Sequence, residues 1–174
     1  MDNKLNKHFC IQPFLNVTTR IKGQNNVCCN ITNSSSNITS ESPTEFFNSP
    51  YVKKMRQELL DGKKLKECKL CHNQEKHHGI SQRQMYNKYY FIKDNQDTEY
   101  YHDTVKKLKF DQLDKPLYVE MHISNLCNLK CLTCNENDSS QFHAENKILG
   151  VSAYPDTNFT KFVVNTAQAL EEVI

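Results

Sequence analysis

Between residues 117 and 124 the chain reads LYVEMHIS, with Leu117, Val119, Met121 and Ile123 alternating against Tyr118, Glu120, His122 and Ser124. A period of two belongs to a strand whose faces meet different surroundings. It predicts a strand over 117–124, with Glu120, His122 and Ser124 on the side away from the apolar row. A helical period occurs earlier. Tyr51, Val52, Met55, Leu59 and Leu60 form an apolar stripe after Ser49 and Pro50, residues suited to a helix cap and first turn, and Gly62 stands just past its end. That stripe is expected to pack over whatever the N-terminal segment builds.

Weaker patterns fill in the rest. FLNVTTRIKGQNNVCC, 14–29, puts two β-rich runs around KGQNN and predicts a hairpin turning at Gly23. ITNSSSNITSESP, 31–43, reads as a polar loop. CKLCHNQEKHHGISQRQMYNKYYF, 68–91, starts with a Cys-x-x-Cys turn and continues as a helix interrupted at Gly79. Residues 93–116 read as a connector ended by Pro116. SSQFHAENKIL, 139–149, predicts a helix capped near Asp138 or Ser139 and stopped by Gly150, and 158–174 carries a further helical pattern. Strand, loop, helix in that order is the beginning of a parallel α/β unit.

Charge adds little. A formal net charge of +2 makes no case for nucleic acid, and KKMRQELLDGKKLKECKL, 53–70, mixes acids among its lysines like a solvated helix face. No apolar run approaches a membrane span and the first residues lack a signal core, so a cytoplasmic protein is expected.

Cysteine changes the picture. Disulfides are disfavoured in a reducing compartment, so eight cysteines read as metal ligands or catalytic thiols. Cys10, Cys28, Cys29, Cys68 and Cys71 lie in the first half. Cys127, Cys131 and Cys134 lie in one short loop, SNLCNLKCLTCNEN, directly after the alternating strand. Three thiolates are one short of a closed structural site. On a 4Fe–4S cluster, held by cysteine thiolates, they leave one iron open to a small molecule. His72, His77 and His78 stand near the Cys68–Cys71 pair as further donors.

The loop CNLKCLTC resembles the signature loop of the radical S-adenosylmethionine (radical SAM) superfamily. The strand before it resembles that family's first barrel strand, and SSQFHAE after it resembles the peptide-modifying branches. The resemblance implies that Cys127, Cys131 and Cys134 hold a 4Fe–4S cluster whose open iron binds S-adenosylmethionine. It further implies reductive cleavage to a 5′-deoxyadenosyl radical that abstracts hydrogen from a substrate, and an electron donor such as flavodoxin or ferredoxin. Thr133 stands beside the third cysteine, near the adenine, where the family commonly has an aromatic or large apolar residue.

In the first half, Cys10, Gly23 and Cys28 have a spacing that resembles the opening of SPASM and twitch modules, which carry auxiliary clusters. Phe9, Pro13, Phe14, Cys29, Glu75, Gly79, Ser81 and Arg83 complete a pattern similar to a branch that carries this module first. The resemblance implies an auxiliary 4Fe–4S cluster on Cys10, Cys28, Cys68 and Cys71, with Cys29 spare or in place of Cys28, and a peptide substrate. The expected fold is α/β: an α+β cluster module over 1–92, a connector over 93–116, and over 117–174 the start of a partial (β/α) TIM-like barrel. The expected family carries a Gly-Gly-Glu-Pro-like stretch after its first crossover, and this chain ends at LEEVI. A truncated chain that binds clusters without efficient turnover is therefore expected. The alternative from the residues alone is a non-enzymatic protein with two structural zinc or iron–sulfur sites.

Overall fold

The computed structural model describes residues 6–21, 23–31, 36–37, 41–92, 114–122 and 124–152. The connector and the C-terminal helical pattern fall largely outside these residues. Helix and sheet are mixed, as an α/β class requires, with four strands in one sheet ordered β3-β2-β1-β4.

The hairpin forms where the sequence placed it. Strand β1, Asn16–Thr19, pairs antiparallel with β2, Gln24–Asn26, setting Thr18 opposite Asn26 and Thr19 opposite Asn25. Gly23 takes φ 77° in the turn, and its N–H donates to the Arg20 carbonyl at 2.7 Å. All four β1 residues are buried although three are polar. Buried polar groups need partners, and each of the three has at least one, although Asn16 Oδ1 is left without a donor. The Thr19 hydroxyl bonds the Asn25 side-chain oxygen at 2.9 Å, and the Asn16 amide donates to Thr18 Oγ1 at 3.0 Å and the Val27 carbonyl at 3.2 Å.

Two elements arise in the polar loop, where none was expected. Ser36–Asn37 adds β3 to the edge of β2, and Pro43–Phe47 forms a short helix, α2. Its start is a capping box: the Glu45 N–H donates to Ser42 Oγ at 3.3 Å and the Ser42 N–H to Glu45 Oε2 at 2.8 Å. Phe46 and Phe47 then enter the core. A short helix, α1, Gln12–Leu15, precedes β1.

Helix α3, Pro50–Leu60, follows the pattern closely. Ser49 Oγ accepts from the Val52 N–H at 3.3 Å, and Val52, Met55 and Leu59 are buried. They join Phe9, Phe14, Val17, Val27, Phe46 and Phe47 in one apolar cluster that also includes Cys10, with Cys28, Cys68 and Tyr51 packed against it. The stripe thus lies in the same core as the first cysteines.

Helix α4, Lys69–His78, ends at Gly79, φ 79°, and α5, Gln82–Ile92, turns back from it. A Cβ at Gly79 would meet nothing within 4 Å, so only the left-handed backbone resists a side chain. Gly79→Ala is therefore expected to cost about 1 kcal/mol of unfolding free energy in chemical denaturation. An unchanged midpoint would show that the corner re-forms with another geometry.

Strand β4, Tyr118–Met121, pairs parallel with β1, bringing Glu120 opposite Thr18 and Val119 opposite Val17. The alternating strand thus continues the N-terminal sheet. Leu117 is exposed, Val119 and Met121 are half-buried, and Ile123 lies outside the described residues. The last described helix is α6, Ser140–Ile148, with Gly150 just beyond it. Among the described residues no helix is long and apolar enough to cross a membrane.

Candidate functional site

Five cysteines meet at one cavity. Cys10, Cys28, Cys29, Cys68 and Cys71 line a small cavity of about 20 Å3, together with Gln12, Asn30, Glu67, Arg83 and Tyr86. The hairpin supplies Cys28 and Cys29, the segment before α1 supplies Cys10, and the entry to α4 supplies Cys68 and Cys71. All five are free thiols.

Three of the five, Cys10, Cys29 and Cys71, are held by bonds from other parts of the chain. Arg20 donates through one guanidinium nitrogen to the Cys29 and Ile31 carbonyls, clamping the turn after β2. Asn30 Nδ2 lies 3.3 Å from Cys71 Sγ, and Gln82 Nε2 lies 3.6 Å from Cys29 Sγ and 3.2 Å from the Tyr86 hydroxyl. Cys10 is held from both sides: the Phe9 carbonyl accepts from Arg83 at 2.6 Å and Asn87 at 2.9 Å, while the Ile11 N–H donates to Asn87 Oδ1 at 2.9 Å.

The motif residues Glu75, Ser81 and Arg83 form the network behind that grip. The Glu75 carboxylate accepts from the Ser81 hydroxyl at 2.6 Å and from Arg83 at 3.0 and 2.5 Å, and it stands 3.5 Å from His72 Nδ1. Burial alone would raise the Glu75 pKa, but these hydrogen bonds and the Arg83 charge outweigh it and the net shift is downward. Gly79 makes the corner that brings Ser81 and Arg83 back over α4. These residues therefore position Cys10 rather than touch the cavity chemistry directly, Arg83 excepted, since it also lines the wall.

Electrostatically the cavity resists bare thiolates. Burial pushes Cys10 well above its ordinary value, and the neighbouring Cys28 adds to the shift. Burial likewise raises Cys28 to about 12 and Cys68 to about 11, with adjacent cysteines contributing. Several of these thiols ionise together only if a cation compensates them, which is the condition a metal centre meets. Among the described residues, no three His, Cys, Asp or Glu side chains come close enough to chelate one ion. A zinc ion needs all its sulfurs about 2.3 Å from a single point. A cluster gives each thiolate its own iron, so the donors stand apart around a shared space.

His72 is buried, and its ring meets His8 edge-on at 5.2 Å between centroids. Its bond to Glu75 turns it toward the network, while His77 and His78 are exposed on the last turn of α4.

The second cysteine group stays in its own loop. Cys131 is exposed, and Cys127 and Cys134 are half-buried. The Cys134 N–H closes a turn on the Cys131 carbonyl at 2.9 Å. The start of α6 staples the loop: Ser140 Oγ lies 3.2 Å from both the N–H and the carbonyl of Cys127, Ser139 Oγ donates to the Leu129 carbonyl at 3.1 Å, and the Ser140 N–H donates to the Asn125 carbonyl at 2.7 Å. Thr133 is exposed, as are Leu126, Leu129 and Leu132. Upstream, Glu120 accepts from the Thr18 hydroxyl at 3.1 Å and meets His122 Nε2 at 3.1 Å, and Ser124 Oγ accepts from the Leu126 N–H at 2.9 Å.

Sequence reasoning did not find Asn87, Gln82 or Tyr86, which lie far in sequence from the cysteines they serve, nor the Arg20 clamp, which bonds across the hairpin to the Cys29 carbonyl. The capping box at Ser42 was legible as Ser-x-x-Glu. No family model matches the sequence, no curated protein matches it, and no solved structure matches the fold.

Proposed function

We propose that this chain is a radical SAM iron–sulfur protein with a 4Fe–4S cluster on Cys127, Cys131 and Cys134. A second, auxiliary cluster sits in the N-terminal cavity, and β4 serves as the first strand of a partial (β/α) barrel. One observation carries the reading: three free thiols, spaced Cys-x3-Cys-x2-Cys, occupy a loop beyond the carboxyl end of a parallel strand. That is the end where barrel enzymes place their chemistry. When bound, the first cluster supplies the electron that cleaves S-adenosylmethionine into methionine and a hydrogen-abstracting 5′-deoxyadenosyl radical.

The chain's own residues have simpler tasks. Cys127, Cys131 and Cys134 provide three thiolates and leave one iron position for the cofactor. Ser139 and Ser140 hold the loop backbone. Leu126, Leu129 and Leu132 supply apolar surface around the site, and Thr133 lies beside the third thiolate. Cys10, Cys28, Cys68 and Cys71 are the ligands proposed for the auxiliary cluster, with Cys29 as a fifth thiol at the same wall. The proposed partners are S-adenosylmethionine, a flavodoxin- or ferredoxin-like electron donor and a peptide substrate.

The test is anaerobic purification with iron, sulfide and zinc quantified. Two 4Fe–4S clusters correspond to about eight irons and about eight sulfides per chain. Zinc without sulfide would overturn the reading in favour of two structural zinc sites. Replacing Cys29 with Ser is expected to leave the iron content nearly unchanged, and replacing Cys28 to remove about half. Equal losses would show that Cys29 is a ligand.

A further inference from the structure

Lysines crowd a groove on the face formed by α3 and the segment that returns from it. Residues 53–70 hold seven cations and three anions, a net of +4 in a chain whose total is +2. The sequence reads this stretch as a solvated helix face. The fold instead wraps it around a cleft of about 500 Å3, lined by Tyr51, Lys54, Met55 and Glu58 on the α3 side and by Lys63–Glu67 opposite. That volume lies within the range of ~300–1,000 Å3 typical of ligand clefts.

Three features of the cleft act together. Met55 and Leu65 are buried and Tyr51 is half-buried, which makes an apolar floor. Lys54, Lys63, Lys64 and Lys66 are all exposed at the rim, on both walls. Glu58 and Glu67 are also part of the lining, and Lys63 Nζ stands 3.7 Å from Glu58. Lysine on both sides selects a negatively charged occupant. The two carboxylates repel a continuous string of phosphates but can accept hydrogen bonds from backbone N–H groups. The apolar floor takes an aliphatic side chain. Those requirements describe a peptide, not a nucleic acid.

We infer that this groove docks an acidic peptide segment, with carboxylates against Lys54, Lys64 and Lys66 and an aliphatic side chain over Met55 and Leu65. No cysteine lines the cleft, although Glu67 lies between it and the five-cysteine cavity, so the inference needs the folded chain but not the chemistry proposed above.

The test is fluorescence anisotropy on the intact chain with a fluorescein-labelled peptide of alternating Glu and Leu, alongside Gln–Leu and Lys–Leu versions. The Glu–Leu peptide is expected to bind and the Lys–Leu peptide not to bind. Raising salt from ~0.1 M to ~1 M shortens the screening length from about 10 Å to about 3 Å and should weaken binding about tenfold. The triple variant Lys54→Glu, Lys64→Glu, Lys66→Glu should weaken it about thirtyfold. Lys76→Glu with Lys88→Glu, on exposed lysines elsewhere, should change it less than twofold. Circular dichroism checks that the triple variant folds; if it does not, the Lys→Gln triple takes its place, with about a tenfold loss expected. Equal binding of Glu–Leu by the wild-type and triple variant would overturn the inference. So would tighter binding of a single-stranded oligonucleotide than of the Glu–Leu peptide, which would assign the groove to nucleic acid.

Discussion

Arg56→Leu is expected to lower the unfolding free energy by about 3 kcal/mol and the melting temperature by roughly 10 °C. Arg56 has the largest of the fully buried side chains. Its Nε donates to the Pro13 carbonyl at 2.7 Å and a terminal nitrogen to the Phe47 carbonyl at 2.8 Å, and its guanidinium stacks 4.1 Å from the Phe47 ring centre. One side chain on α3 therefore ties α1 to the end of α2. Burial opposes its charge and brings its pKa down to about 10. Leucine relieves that penalty but strands two carbonyls, each costing about 1–3 kcal/mol when buried without a donor. The balance falls against the variant. Thermal and urea denaturation monitored by circular dichroism check it, and a loss below about 1 kcal/mol would show that water reaches both carbonyls.

Cys68→Ser and Cys131→Ala are expected to remove different metal centres, each taking about half of the iron and sulfide. The structural consequences should differ as well. Cys68 packs against the apolar cluster and lines the cavity shared with Cys10, Cys28, Cys29 and Cys71. If that cavity holds a metal centre, its loss uncouples metal binding from folding of the hairpin, α3 and α4, so Cys68→Ser should lower thermal stability sharply. Cys131 is exposed in a loop already fastened by Ser139 and Ser140. Cys131→Ala should therefore leave the melting transition within a few degrees while removing about half of the iron and sulfide. Iron and sulfide assays with parallel melting curves check both. If both variants lost the same iron, the two cysteine groups would serve one centre, and the two-site proposal would fail.

The arrangement also gives the motif residues of α4 and α5 a physical role. Glu75, Ser81 and Arg83 make a hydrogen-bonded corner whose free end grips the Phe9 carbonyl next to Cys10. A cysteine buried this deeply cannot search for a metal by side-chain motion alone, so its backbone must already be in place.

What the sequence determined by itself was local. The hairpin at Gly23, the capped helix after Ser49 and the break at Gly79 each depend on residues within one or two turns of one another, and each formed as its pattern required; of the strand expected over 117–124, Tyr118–Met121 forms, without the expected alternation of buried and exposed positions and with Leu117 exposed. The loop of Cys127, Cys131 and Cys134 was also legible, because its spacing is a local property, whereas the five N-terminal cysteines, spread between residues 10 and 71, meet only in the fold. Tertiary structure decided the rest. Strand β4 pairs with β1 rather than standing alone, since an edge with free N–H and C=O groups is satisfied by any compatible strand, and only the complete fold selects which. Cys29 joins the other four thiols because the turn after β2, clamped across the hairpin by Arg20, meets Gln82 of α5, a contact between segments 53 residues apart. The lysines of 53–70 became two walls of a groove because the chain reverses after α3. Alternation and capping report one element at a time, whereas a site is made where separate elements meet.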